Sequence, residues 1–356
     1  MELPSYHGII KNKMNFNNTR INWRSVHDVV DGADKIMLTT HENPDGDGLG
    51  SESGMYHHLV DKTVDVRIIN YSPLPNEFEY LNRDNIFEEY NKSEHDQWIK
   101  NVDLVIIFDV GDYERIRAIT SIIEKHNIAV MNIDHHPHPD KNKFNYNIVD
   151  LSAAATGCMV FDYLNFARSG KPISKDSLEG IYTATMTDTG CFRFSNTNNK
   201  CHEIAIEALS NGIETHKIYQ NIYENSTKSR MKLMGFFLAD LNFEIGGKFA
   251  WFKITQEMMK KANAVKSDVE GFSDMIRSIR GVEVALMIFQ QDETNCRINF
   301  RSKGEITVND IAKKLGGGGH AFAAGAMIND PLEKATEKAV SLTKASINNQ
   351  LNQHLT

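Results

Sequence analysis

The sequence has few cysteines, and the four present (Cys158, Cys191, Cys201 and Cys296) form no CxxC pair. That spacing argues against a thiolate zinc cluster and fits small apolar residues in a reducing compartment. Long apolar runs are missing too. No stretch approaches the roughly 20 apolar residues that span a bilayer. The runs Leu104–Phe108 and Val284–Phe289 are strand-sized. The N-terminus, MELPSYHGIIKNKMNFNNTR, has neither an apolar core nor a cleavage pattern, and reads as a short polar extension. A soluble, cytoplasmic protein is expected. An excess of positive charge is also lacking: the formal net charge is −8 over 356 residues. A long non-specific nucleic-acid track would need a basic face. A small phosphorylated substrate held through metal ions remains compatible.

What is present is an alternation. Strand-like runs at Lys35–Thr40, Val64–Ile69, Leu104–Phe108 and Ile128–Ile133 are interleaved with helix-like segments such as Gly50–Val60 and Ala153–Phe166. This predicts an α/β fold with a doubly wound parallel sheet. A long helical stretch, Lys200 to about Leu241, follows. Beyond it the pattern changes to strands at Asn242–Thr255, Val282–Gln290 and Asn295–Arg301, the last two joined by a polar turn into a hairpin. A helix over Thr307–Leu315, the glycine run Gly316–Gly319 and a terminal helix from Pro331 complete the chain. The expected division is an extension 1–22, a catalytic domain 23–225, a helical connector 226–242 and a smaller α/β domain 243–356.

The chemistry gathers at strand ends. His41-Glu-Asn-Pro-Asp45-Gly-Asp47 follows the first strand, Asp109 ends the third, Asp134-His135-His136 ends the fourth, and Asp188 follows a helix. Taken singly, Asp45-Gly46-Asp47-Gly48 reads as a solvated turn. Its glycines match neither a Walker loop nor GxGxxG. Taken together, the sets fall at the carboxyl edge of a parallel sheet, where ligands bind. Carboxylates and imidazoles crowded there need cations. Oxygen and nitrogen ligands favour Mn²⁺, with Mg²⁺ or Co²⁺ as alternatives. Two ions about 3.5–4 Å apart would use this many ligands and serve in-line displacement at phosphorus.

These motifs resemble those of the DHH phosphoesterases, and Gly316–His320 with Ala321-Phe-Ala-Ala-Gly325 resembles the glycine-histidine signature of the companion DHHA1 domain. The resemblance runs from about Trp23 to about Ser346. The compact two-domain length is similar to the branch of oligoribonucleases and pAp phosphatases, which also holds soluble cyclic-dinucleotide phosphodiesterases. It implies that His41 and Asp45 hold one Mn²⁺, that Asp47, His135 and Asp188 hold the other, and that Asp109 bridges them. His136 would meet the substrate phosphate and Asp134 would orient the neighbouring ring. Gly317, Gly318, Gly319, His320, Arg301 and Ser302 would bind the nucleotide, between the two domains. Arg193 would reach the site from the first domain or form a surface ion pair. Substrates would be short RNA or DNA oligonucleotides, phosphorylated dinucleotides and pAp. Cyclic di-AMP hydrolysis is the alternative within the class, and a non-catalytic nucleotide-binding regulator the alternative outside it. The resemblance alone suggests a homodimer and no membrane partner.

Overall fold

The computed structural model describes residues 14–17, 21–62, 64–138 and 143–353. The chain divides into two compact units, Met1–Asn225 and Ser226–Thr356.

The first unit runs β1 (Met14–Asn17), α1 (Trp23–Asp31), β2 (Lys35–Thr39), α2 (Gly46–Val60), β3 (Asp65–Asn70), β4 (Phe87–Glu89), α3 (Lys92–Ile99), β5 (Leu104–Phe108), α4 (Ile119–His126), β6 (Ala129–Asp134), β7 (Tyr146–Val149), α5 (Thr156–Ala167), α6 (Lys175–Asp188), α7 (Asn199–Ser210) and α8 (Thr215–Tyr223). The strands form one sheet in the order β1-β7-β6-β5-β2-β3-β4. Every pairing in it is parallel. Helices cover both faces, so the central strand β5 is apolar at every position. In β5, Leu104, Ile106 and Phe108 pack with α5 and α6 residues such as Cys158 and Ile181. Val105 and Ile107 pack the other way, with Ile99, Ile119 and Ile123 of α3 and α4.

Three short strands escape the sequence pattern. β4 and β7 are only 3 and 4 residues long. β1 falls inside the expected polar extension 1–22, most of which lies outside the described residues; its backbone pairs with β7 through Met14↔Tyr146 to Asn17↔Val149. The expected helical stretch Lys200–Leu241 is three helices, α7, α8 and α9 (Lys228–Ala239). Gly212, at φ 72°, turns the chain after α7, and Thr227 caps α9 by accepting from the Arg230 amide.

The second unit continues with β8 (Asn242–Glu244), β9 (Phe249–Ile254), α10 (Gln256–Ala262), α11 (Phe272–Arg277), β10 (Val284–Gln290), β11 (Cys296–Ser302), α12 (Asn309–Lys314), β12 (Gly318–His320), β13 (Ala323–Ile328) and α13 (Leu332–Gln353). Its sheet order is β12-β13-β11-β10-β9-β8. The segment 226–242 is no separate connector. Leu233 and Phe237 of α9 are fully buried in this unit's core, and the Phe237 ring stacks on Phe252 at 4.5 Å. The expected strand Asn242–Thr255 is broken by Ile245-Gly246-Gly247, all at positive φ, into the antiparallel pair β8–β9. The hairpin β10–β11 is antiparallel, from Val284↔Ser302 to Gln290↔Cys296.

Candidate metal centre

The sheet order places β5 beside β2, with β3 and β4 running outward on one side and β6 and β7 on the other. A reversal of this kind opens a crevice at the carboxyl ends of the strands. His41 leaves β2 there, Asp109 leaves β5, and β6 ends in Asp134 with His135 and His136 next. Asp109 itself sits at φ 59°, a left-handed conformation that only a few residue types tolerate. This turn carries its carboxylate back into the crevice, while its amide still donates to the Ile133 carbonyl at 3.1 Å.

The acidic cluster after β2 is the start of a helix. Asp45 is the N-cap of α2, accepting from the amides of Asp47 and Gly48 at 3.1 and 3.3 Å. The glycines that follow permit close packing. A Cβ on Gly46 would lie 2.5 Å from the Thr187 side chain, one on Gly48 2.3 Å from Thr40 Oγ1, and one on Gly50 2.3 Å from the Gly180 carbonyl. With no side chains between them, α2 and α6 bring Asp47 and Asp188 to the same place. Asp47 is 2% exposed. Both its oxygens accept from the first amides of α5, Thr156 at 2.7 Å and Gly157 at 2.9 Å. A helix N-terminus suits an anion, because its amides are unsatisfied and its dipole end is positive.

Around these carboxylates stand three histidines. His41 Nε2 lies 3.7 Å from Asp45 Oδ2 and 3.5 Å from Asp109 Oδ2. His135 Nε2 lies 3.5 Å from Asp47 Oδ2, 3.6 Å from Asp109 Oδ1 and 3.5 Å from Asp188 Oδ2. His136 Nδ1 lies 3.2 Å from Asp109 Oδ1 and 2.9 Å from Asp134 Oδ1. The ligand atoms of His41, Asp45 and Asp109 all fall within 4.8 Å of one another, as do those of Asp47, His135 and Asp188. Asp109, His135 and His136 form a third such group.

Two features show that this donor set fits a divalent cation. The first is the tautomer. His41 Nδ1 lies 2.8 Å from the Glu42 carbonyl, and His135 Nδ1 lies 3.1 Å from the Ala153 carbonyl. A carbonyl only accepts, so each Nδ1 carries the proton. In the neutral ring, Nε2 is then a lone pair aimed at the crevice, the usual preparation of a metal-ligating histidine. The second is the shortage of protein donors: His135 Nε2 is buried and has no hydrogen-bond partner.

The electrostatics agree. Burial, then the charges of Asp109 and Asp188, push the Asp47 carboxyl well above its usual range. Burial also raises Asp188, to about 6, with Asp109 and Asp45 adding to it against the opposing effect of His135. Burial would lower the His41 ring, but its contacts with Asp109 and Asp45 outweigh that and hold it up at about 10. Protons thus take the place that cations would fill.

Asp134 is fully buried and serves the rings around it. It accepts from the His135 amide at 2.8 Å and contacts His136 Nδ1 at 2.9 Å and His138 Nε2 at 2.6 Å. Its ring contacts outweigh the cost of burial and hold its carboxyl far below the usual range. Asp109 and Asp134 together raise His136 to about 11. Sequence reasoning missed His138, although it stands two residues past His136. It also missed the Thr156-Gly157 amides, whose only signal is a run of small residues opening a helix. Glu42, beside His41, is paired with Arg117.

The remaining expected site residues fall into two sets. Arg193 turns back on its own loop, its Nε donating to the Gly190 carbonyl at 2.7 Å. Among the described residues no hydrogen bond or ion pair joins it to the cluster. In the second unit, Arg301, Gly317, Gly318, Gly319 and His320 line one groove. Ser302 does not join them. It points to the opposite face of β11, is 1% exposed, and donates its hydroxyl to Glu283 at 2.9 Å. Part of the glycine run is the edge strand β12, paired to β13.

Comparison with known proteins matches both units. The DHH family N-terminal domain matches residues 35–185, and the DHHA1 domain matches residues 248–349. A bifunctional oligoribonuclease and PAP phosphatase NrnA of Thermus thermophilus is 29% identical over 88% of this chain and 90% of its own. A solved exopolyphosphatase-related protein from Bacteroides fragilis is 28% identical, with a TM-score of 0.84 over 92% of this chain and 95% of its own. RecJ of Thermus thermophilus, solved with Mn²⁺, is 12% identical, with a TM-score of 0.53 over 90% of this chain and 55% of its own. Among the described residues no helix is long and apolar enough to cross a membrane.

Proposed function

We propose, from the premise that this chain belongs to the DHH family of phosphoesterases and carries a DHHA1 domain, that it hydrolyses phosphorylated dinucleotides, other very short oligonucleotides and pAp to mononucleotides. The observation that carries the reading is the pair of imidazoles with their Nδ1 atoms tied to carbonyls and their Nε2 atoms turned toward shared carboxylates. His41 and Asp45 would hold one divalent ion and Asp47, His135 and Asp188 a second, with Asp109 within reach of both groups. Mn²⁺ is the ion we propose, because the donors are oxygen and imidazole without thiolate. Bound ions supply Lewis-acid activation of water and neutralise charge on the phosphate.

The chain's own groups do the rest. The α5 amides keep Asp47 oriented, and the Glu42 and Ala153 carbonyls keep both Nε2 atoms facing the crevice. His136 Nδ1 is held by the buried Asp134 at 2.9 Å, and its side chain is 48% exposed. It is therefore free to receive a phosphate oxygen of the substrate. In the second unit, Arg301 and His320, with the backbone of Gly317–Gly319, line a groove that offers donors to a nucleotide. The related oligoribonuclease and PAP phosphatase supports this substrate class, and so does the acidic net charge of −8, which disfavours long strands.

The test is hydrolysis of pApA, pAp, cyclic di-AMP and a labelled 24-mer, each with Mn²⁺ and with EDTA. Chelator-sensitive cleavage of pApA and pAp, with little of the 24-mer, is the expected outcome. Preference for cyclic di-AMP would move the protein to second-messenger turnover with the same chemistry. Mn²⁺ binding without any turnover would mean a nucleotide-binding regulator.

A further inference from the structure

We infer that Asn70 and Thr40 are positioning residues of the metal centre, which together fix the spacing of His41 and Asp109 across three strand ends. This rests on the phosphoesterase reading above and deepens it. Strands β5, β2 and β3 lie side by side. β2 ends at Thr39, and beyond it side chains take over from the backbone ladder. The Thr40 amide donates to Asn70 Oδ1 at 3.0 Å, and the Thr40 hydroxyl donates to the Phe108 carbonyl at 2.8 Å. The Thr39 hydroxyl adds a third bond, to Asn70 Oδ1 at 3.2 Å. Asn70 is the last residue of β3 and Phe108 the last of β5, so Thr40 is clamped from both neighbouring strands.

The next residue after Thr40 is His41, and the next after Phe108 is Asp109. Their Nε2 and Oδ2 atoms stand 3.5 Å apart. The Glu42 carbonyl sets the tautomer of the His41 ring, whereas the Thr40 clamp sets where the ring stands against Asp109. A metal site needs that precision, because its ligands must be held to within about 0.5 Å. The bare Gly48 lets the first turn of α2 close over the Thr40 hydroxyl, since a Cβ there would lie 2.3 Å from Oγ1.

The partners also settle which way the Asn70 amide is turned. The Thr40 amide only donates, so the Asn70 oxygen faces it. The Asn70 nitrogen then donates to Glu52 Oε2 at 2.9 Å. Glu52 lies on α2, the helix that carries Asp47. Its other oxygen, Oε1, is buried without a partner, which leaves Asn70 as the group that holds this carboxyl. One chain of hydrogen bonds therefore runs from α2 through the end of β3 to the ends of β2 and β5. Thr39, Thr40 and Glu52 are 0% exposed and Asn70 is 3% exposed. Water cannot stand in for a lost partner there, and each lost bond leaves a buried group unpaired.

The test is calorimetric titration of the metal-stripped protein with Mn²⁺, alongside thermal melting in EDTA and steady-state hydrolysis of pApA. Thr40→Val keeps the side-chain shape and removes the hydroxyl. It should weaken Mn²⁺ binding and lower kcat by about tenfold each, with KM unchanged. Asn70→Ala releases Thr39, Thr40 and Glu52 at once and should cost about 100-fold in Mn²⁺ affinity. Thr40→Ser restores the hydroxyl and should bring both values back to within about twofold of the wild type. Variants that melt earlier in EDTA yet bind Mn²⁺ and turn over as the wild type does would overturn the inference, because a hydrogen bond serving stability alone behaves that way. Thr40→Ser matching Thr40→Val would overturn it too. Should Asn70→Ala fail to fold, the Thr40 pair decides. A wild type that binds Mn²⁺ but hydrolyses no short nucleotide would sink the phosphoesterase reading and leave the Mn²⁺ titrations to decide on Asn70 and Thr40; turnover with unaltered variants would do the reverse. A wild type that binds no Mn²⁺ would overturn both.

Discussion

The two units build their candidate sites from opposite materials. In the first, charged side chains are brought together and each is fixed by a second contact: Asp47 by the α5 amides, His41 and His135 by carbonyls, Asp134 by three donors. In the second, much of the groove is made by leaving side chains out: Gly317, Gly318 and Gly319 line it beside Arg301 and His320. The difference follows from the task. A cation needs several anionic atoms within about 2–2.5 Å, and only a pre-formed shell opposes their mutual repulsion. A nucleotide is large, brings its own charge and planar rings, and needs room and a few donors.

That contrast can be broken at several points. The largest effect should come from Asp109→Ala. Loss of the shared carboxylate should lower kcat on pApA by about 10³-fold or more while circular dichroism stays native; near-normal turnover would falsify the two-ion site. Next is Asp134→Asn, which leaves His136 and His138 facing a neutral amide. A loss of about 10–100-fold in Mn²⁺ affinity or rate is expected, measured by titration calorimetry and kinetics, with the ion stoichiometry retained. Smaller again, His320→Ala should raise KM for dinucleotides about tenfold, the scale of one lost charge-assisted contact, and leave the Mn²⁺ affinity unchanged. A change in metal binding instead would contradict the separate roles of the two units.

The glycines sharpen the comparison through stability. Gly50→Ala forces a methyl group to within 2.3 Å of the Gly180 carbonyl and should destabilise the protein by about 1–3 kcal/mol. Gly318→Ala faces open space and should shift the thermal midpoint little. Equal effects would show that the α2–α6 contact is not the tight one.

The smallest effect is one of pH on the metal-free protein. His41 and Asp188 both have raised folded values, about 10 and about 6. A raised group binds its proton more tightly in the folded state. Its contribution is therefore complete below its unfolded pKa and is lost as pH rises through the folded value. For Asp188 the window is about pH 4 to 6, and for His41 about 6.5 to 10. The melting temperature in EDTA should fall from pH 6.5 to 9, and Mn²⁺ should raise it more at pH 8.5 than at pH 6.5. A flat profile in EDTA would show that these protons do not stand in for the ions.

The sequence by itself determined the parallel sheet and which of its residues meet. β5 is apolar throughout and β2 and β6 are mostly so because both faces are covered, and His41, Asp109 and Asp134-His135-His136 stand at their carboxyl ends. Topology brings such ends together whatever the loops do. Tertiary structure decided what depends on neighbours distant in sequence. Gly46, Gly48 and Gly50 look like a turn or an anion loop until Thr187, Thr40 and Gly180 occupy the space where their side chains would be. Ser302 is adjacent to Arg301, yet the two-residue period of β11 sends it to the opposite face. The helix at 228–239 reads as a connector until Leu233 and Phe237 enter the second core. β1, β4 and β7 are too short to carry a pattern of their own; β4 and β7 form against the edges of the longer β3 and β6, and β1 pairs in turn with β7. The sequence carries the periodicity of each element, whereas the partner of each face is fixed only when the elements pack.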